Sequence, residues 1–271
     1  MSFFQNPMIR KELRQRLRER RAWVLPTIYV LLLSSVVLFA YSERPAGQAN
    51  AQGADIGTSI FFWVIFAQAI VLLLVAPVFS AGGITIEKEQ RTFASLLTTL
   101  LSPGEIWWGK FVSSLLYLLL LLSCSIPLLA LSFAFGGVDP KEVLVATGYS
   151  ILVLAAVCSL GLLCSGLFRR SVHSTAAAYG LVLLLTIVTT ILFAYMESHW
   201  RQGGHAVRGE EVPVYIHAPL LFNPLYPLLS LGSVAGSEFP YAASSCLLFG
   251  AMLLLAAAFT MRLLKRSGEQ A

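Results

Sequence analysis

Six stretches of the chain are apolar almost throughout: approximately Trp23–Tyr41, Thr58–Ala81, Trp107–Phe135, Leu144–Phe168, Thr175–Tyr195 and Tyr241–Met261. None carries Asp, Glu, Lys or Arg except Lys110, near the start of the third. An α-helix needs about 20 such residues to cross a bilayer. In hydrocarbon every backbone N–H and C=O must find its partner inside the chain, so stretches of this kind cross as helices. The charge content agrees: 12% of the 271 residues are charged, against about 25% in soluble domains. The expectation is an all-α integral membrane protein, six transmembrane helices in a single domain over residues 1–271. The first run exceeds a signal-peptide core in length and is expected to be retained. Cys124, Cys158, Cys164 and Cys246 all sit in apolar runs, as small filler.

Basic residues orient the spans. Fifteen of the nineteen Lys and Arg fall on the side that holds both termini, Lys88, Arg91, Arg169 and Arg170. The other four, Arg44, Lys141, Arg201 and Arg208, fall opposite. The positive-inside rule predicts a multi-pass protein of the cell (plasma) membrane with both termini cytoplasmic.

Four non-spanning segments have character. Residues 1–21 include "NPMIRKELRQRLRERR", with Asn6 as a helix cap and Pro7 at the first helical position. Ile9, Leu13 and Leu17 share one face, and Arg10, Lys11, Arg14 and Arg18 cover much of the rest. That pattern predicts a basic amphipathic helix against membrane lipids; a basic flank that only sets topology is the alternative. Between spans 2 and 3, Phe93, Leu96, Leu97, Leu100 and Leu101 form a helical stripe behind Glu87, Lys88, Glu89, Arg91 and Thr92. A short cytoplasmic helix over Glu87–Leu101 is expected, or an extension of a span. Arg169–Ser174 is a tight turn between spans 4 and 5. Residues 197–240 form the longest outer segment, yet their second half, "VPVYIHAPLLFNPLYPLLSLGSV", is strongly apolar. Exposed loops do not look like that, which predicts a broken, partly re-entrant hairpin or a lid packed on the spans.

Gly104, Gly109 and Lys110 spell G-x-x-x-x-G-K, nearly a phosphate-binding loop. Phe111 stands where the loop needs Ser or Thr for magnesium, and two Trp crowd its interior. Ser102 and Glu105 instead form a capping box, with Pro103 at the first helical position. Trp107, Trp108 and Lys110 are then interfacial anchors, Lys110 snorkelling to the headgroups. His199, His205 and His217 fit no compact metal spacing, and Glu210-Glu211 lack a partnered HExxH. Ser165 with His173 faintly suggests an intramembrane serine protease. Gly161-x-x-x-Ser165 and Ala176-x-x-x-Gly180 suit close helix packing better. No catalytic, cofactor or metal site and no nucleic-acid partner are expected. The spans also lack the buried Asp, Glu or His through which ion-coupled pumps work, so any transport would draw its energy from elsewhere.

This architecture, with Glu87-Lys88-Glu89-Gln90-Arg91-Thr92, Leu96-Leu97, Ser102-Pro103 and Gly109-Lys110, resembles the permease subunits of ATP-binding-cassette (ABC) exporters of the type-2 class. In the resembling motif Gly precedes Thr, where this chain has Arg91, and Pro precedes Ser. The resemblance implies that Glu87–Leu101 is a coupling helix seated on a separate ABC ATPase subunit. Glu87, Lys88, Glu89, Arg91, Thr92, Leu96 and Leu97 would be its contacts, with Arg169 and Arg170 as a smaller second contact. It also implies a second permease, homo- or heterodimeric. Its pathway would be lined by Phe61, Phe62 and Phe66 on span 2 and Thr186, Thr189 and Thr190 on span 5, suited to an apolar or amphipathic cargo; core packing is the other reading of these six. A membrane scaffold or sensor docking some other partner through residues 87–101 is the alternative function.

Overall fold

The computed structural model describes residues 21–42, 53–92, 102–136, 138–202, 214–228 and 240–269. The surface helix expected over 1–21, Arg21 excepted, lies outside these residues. So do Leu96, Leu97 and the rest of the 93–101 stripe, His205, and 203–213 and 229–239 of the outer segment.

Among the described residues the chain is all-helical. The helices are α1 (Arg21–Ser42), α2 (Gly53–Ser80), a short α3 (Thr85–Glu89), α4 (Pro103–Phe135), α5 (Pro140–Leu167) and α6 (Ser171–Leu183). A π-helical turn (Leu184–Val188) joins α6 to α7 (Thr189–Gln202), a 3₁₀ stretch follows (Val214–Phe222), and α8 (Pro240–Glu269) ends the order. The α6–π–α7 rod runs unbroken from Ser171 to Gln202. With α1, α2, α4, α5 and α8 it makes six helices long and apolar enough to cross a membrane. The protein is a multi-pass membrane protein. Its lipid-level surface is apolar, with Leu144, Leu247 and Leu255 each at least 70% exposed.

Helix starts follow local chemistry. Ser102 Oγ accepts from the Glu105 N–H at 3.3 Å, and Glu105 Oε2 accepts from the Ser102 N–H at 2.8 Å. This is the capping box that "SPGE" predicts, and it begins α4 at Pro103. Pro140 likewise holds the first helical position of α5, where a missing N–H is no loss, though Asp139 before it makes no side-chain cap.

The core gathers on α2, α4 and α5, around Phe61, Leu72, Leu118, Leu121, Leu154 and Leu162. Small residues let the backbones approach. A Cβ at Gly161 on α5 would collide with the Ser80 hydroxymethyl on α2. One at Gly57 on α2 would collide with the carbonyl oxygens of Ser132 and Gly136 at the end of α4. The two glycines tie α2 to its neighbours at opposite ends. Within the described part of the outer segment, Ile216, Leu220 and Leu228 are buried while Phe222 is exposed. Pro224 and Leu228 line a small cavity with Ala69, Leu72 and Leu73 of α2 and Ser150, Val153 and Leu154 of α5.

Candidate functional site

Among the described residues, polar bonds between elements gather where α2 ends, α3 turns and the α5–α6 corner meets them. Ser165, one turn from the end of α5, accepts through Oγ from the N–H groups of Ile84 (2.7 Å) and Thr85 (2.9 Å). Those are orphan donors at the start of α3, which no residue of its own caps. Ser174 Oγ donates to the Ala81 carbonyl at 2.8 Å. The Ser165 hydroxyl is thus committed to backbone amides, and His173 stands exposed.

Lys88 and Glu89 grip the corner from opposite electrostatic sides. Lys88 Nζ donates to the carbonyls of Ser165 (3.1 Å), Gly166 (2.5 Å) and Phe168 (3.1 Å). These are the last carbonyls of α5, where the helix dipole is negative. Glu89 Oε1 accepts from the Ser171 N–H at 2.7 Å and Oε2 from the Ser171 hydroxyl at 3.0 Å. That is the first turn of α6, where the dipole is positive and where Arg170 provides no side-chain cap. Adjacent residues of opposite charge therefore complement the end of one span and the start of the next.

Lys110 joins the third span to the same node. Its Nζ donates to the Gly83 carbonyl at 2.6 Å and to Glu87 Oε1 at 2.8 Å. Lys110 is 2% exposed and Glu87 22%. The expected snorkelling lysine points inward instead, because an acceptor pair on α3 and its preceding turn lies within reach. Trp107 is also buried, stacked on Phe111 at 4.8 Å, while Trp108 is exposed. Of the three expected anchors, Trp108 alone keeps an exposed position. The G-x-x-x-x-G-K run is helical throughout, inside α4.

The helix expected from Glu87 to Leu101 is interrupted. α3 closes after Glu89 with the Thr92 N–H on the Glu87 carbonyl (3.0 Å) and the Arg91 N–H on the Lys88 carbonyl (3.3 Å). This is a Schellman turn, and its left-handed position is Arg91, φ 58°. A side chain there costs about 1–2 kcal/mol that Gly would not incur. The hydrophobic stripe behind it carries no signal of the break.

A family model described as ABC-2 family transporter protein matches residues 7–267. The chain belongs to the ABC-2 transporter family. No curated protein matches it. In this ABC-2 chain Arg91 is also the position at which the resembling motif carries Gly, and the Schellman turn supplies the physical reason for Gly there.

The residues expected to line a pathway in the ABC-2 protein fall into two groups. Phe61 is 1% exposed and belongs to the core; Phe62 and Phe66 stack on each other at 6.4 Å. Thr186 lies within the π turn, and Thr189 and Thr190 follow it directly. Thr186 Oγ1 donates to the Val182 carbonyl at 2.8 Å, Thr189 Oγ1 to the Leu185 carbonyl, and Thr190 Oγ1 to the Thr186 carbonyl at 2.7 Å. Asn223, just after the 3₁₀ stretch, donates through Nδ2 to Thr190 Oγ1 at 2.9 Å and to the Thr186 carbonyl at 3.2 Å. The outer segment is thereby fastened to the middle of the Ser171–Gln202 span. Beside this junction opens an apolar groove of about 510 Å³, lined among others by Leu160, Leu163, Leu185, Phe222, Met252 and Phe259.

Sequence reasoning placed Ser165 in helix packing and missed its bonds to α3, and it missed Ser171 and Asn223, ordinary helix and turn residues whose partners lie far away in the chain. It also missed Gln68, an amide 2% exposed in the middle of α2. Its signal was present: a polar side chain inside an apolar span is rare and is held for a reason. Of the histidines, His217 shares a hydrogen bond with the Tyr226 hydroxyl at 3.3 Å, and His199 lies against the Tyr195 ring.

Proposed function

We propose that this ABC-2 protein is the membrane-spanning permease subunit of an ABC transporter. It moves its substrate across the cell membrane with energy from a separate ATPase subunit docked at the Lys88–Arg170 end. That end is cytoplasmic, as are both termini. The observation that carries the reading is the node around α3: one short element is bonded to α4 through Lys110, to α5 through Ser165 and Lys88, and to α6 through Glu89. A displacement imposed there reaches three spans through short polar bonds. Residues 87–101 serve as the coupling segment, with Arg91, Thr92, Leu96, Leu97, Arg169 and Arg170 nearest the ATPase. The permease works with a second copy or a related chain. Phe62, Phe66 and the Thr186–Thr190 group border the pathway, and residues 214–228 re-enter the membrane from the outer side. The apolar groove and the scarcity of charge favour an apolar or amphipathic cargo.

The test is purification of the tagged full-length chain from its native membrane. An ABC ATPase should be retained, and the complex should hydrolyse MgATP while the isolated chain does not. A fully inserted chain that yields no such ATPase and no hydrolysis above background would remove the reading.

A further inference from the structure

We infer that the apolar groove beside the π turn is a binding site for one acyl chain of a bilayer lipid, taken from the leaflet on the α3 side. Such a site depends on the six-span fold and not on an ATPase, so the two can fail separately. The groove lies between α5, the α6–π–α7 rod and α8, and every residue that lines it is apolar. α6 and α8 both pack on α5, and Ser159 Oγ, donating to the Leu253 carbonyl at 3.1 Å, pins α8 to α5 at this depth. Gly166 marks the α3 end of the bundle: its carbonyl takes Lys88, and a Cβ on it would lie 3.6 Å from Leu263 Cδ1 of α8. Leu163 and Phe259 line the groove about one turn in from there. Leu248 lines it further along α8, about 16 Å from Phe259 at the helical rise. One leaflet supplies about half of a hydrocarbon core roughly 30 Å thick, so the groove spans one leaflet.

Irregular backbone sets the far end. Leu185 of the π turn and Phe222 of the 3₁₀ stretch both line the groove. Asn223, next to Phe222, ties the two elements together through its bonds to the Thr186 carbonyl and Thr190 Oγ1. Non-helical backbone at membrane depth is tolerated where protein covers it or where it lines a cavity, and π turns gather at functional sites. Phe222 is held in place there and is still 50% exposed, an aromatic ring with room beside it.

The dimensions and the lining select the occupant. The groove holds about 510 Å³. A helix of a second copy, about 10–12 Å across with its side chains, would fill more than twice that volume over the same length. A polar ligand would find no partner on these walls and would lose its hydrogen bonds to water. An acyl chain is slender, flexible and wholly apolar. In hydrocarbon no hydrophobic effect drives it in; the gain is dispersion contact with fixed walls, which a fluid bilayer does not offer.

The experiment titrates the delipidated full-length chain in detergent with dioleoyl phosphatidylcholine and counts bound lipids by native mass spectrometry. The first lipid should bind about tenfold more tightly than those that follow. Ala251 is exposed and lines the groove. Ala251→Trp places an indole in the groove and should raise the first Kd about tenfold, to that of the later lipids. Leu247 is 77% exposed and lies outside the groove, so Leu247→Trp should leave the first Kd unchanged. Phe222→Ala lengthens the groove and should move its preference toward the longer chains of dierucoyl phosphatidylcholine. Size-exclusion profiles verify that each variant is folded. A parent that binds every lipid alike, or an Ala251→Trp chain that keeps its first site, overturns the inference. An equal loss in Leu247→Trp assigns the first lipid to the open surface and overturns it as well. Conversion of a dimer to a monomer by Ala251→Trp, with the first lipid retained, gives the groove to a second copy and overturns it too. An unchanged chain-length preference in Phe222→Ala overturns the end assigned to Phe222.

Discussion

Lys110 and Glu87 illustrate how much one side chain can be asked to do at the edge of a membrane. The lysine reaches from α4 to the turn before α3 and to the first residues of α3 itself, at 2.6 and 2.8 Å. Removing one partner of a buried pair costs far more than the pair is worth, because a charge is left behind. Lys110→Met should therefore lower stability by about 3 kcal/mol, at the low end of the buried-pair range because Glu87 keeps some exposure. Adding Glu87→Gln should restore part of the loss. Thermal unfolding in detergent reads both; a double variant as weak as the single would assign the cost to packing around the lysine stem. None of this was legible in the sequence. Lys110 reads as a snorkelling anchor because Trp107 and Trp108 sit beside it, and its partner lies 23 positions away. Arg91 was opaque to the local pattern, since an arginine at a left-handed position carries no signal of its own; the one pointer was the Gly that the resembling motif has there.

Among elements, the six spans were legible because their determinants are local: length, apolarity and absent charge decide them. The α4 cap was legible for the same reason, four consecutive residues carrying the whole motif. The α3 node was not, because it is made of bonds between positions some 80 apart, such as Glu89 with Ser171. The glycines separate the two kinds of contact. Gly57 approaches the end of α4 so closely that a Cβ meets backbone oxygen, whereas at Gly148 and Gly250 a Cβ meets nothing within 4 Å. Gly57→Ala should thus destabilise the α2–α4 pair and lower the melting temperature. Gly148→Ala and Gly250→Ala should raise it slightly, since alanine favours a helix by roughly 0.5–1 kcal/mol over glycine. A uniform response of all three would mean that α2 and α4 are not in contact at that end.

For the whole molecule, the proposed direction across the membrane rests on the basic end. Cysteine is introduced singly at Gln90 or Gln202 in a chain lacking Cys124, Cys158, Cys164 and Cys246. Both positions are exposed, at opposite ends of the bundle. An impermeant thiol reagent should label Gln202→Cys in intact cells and Gln90→Cys only after permeabilisation. The reverse pattern would turn the protein over and move the proposed ATPase contact to the α1–α2 and α4–α5 connections. The π turn at Leu184–Val188 has a consequence of a different kind. A π turn holds one residue more than the α-helix it replaces, so it behaves as an insertion hidden inside an unbroken span. A gap-free alignment of this span with a relative that lacks the turn would be true up to Leu183 and wrong by one position from Thr189 onward. Roles carried across from such a relative to Thr189, Thr190 or Phe193 would then land on the neighbouring residue, about 100° round the rod, unless a gap is opened at the turn.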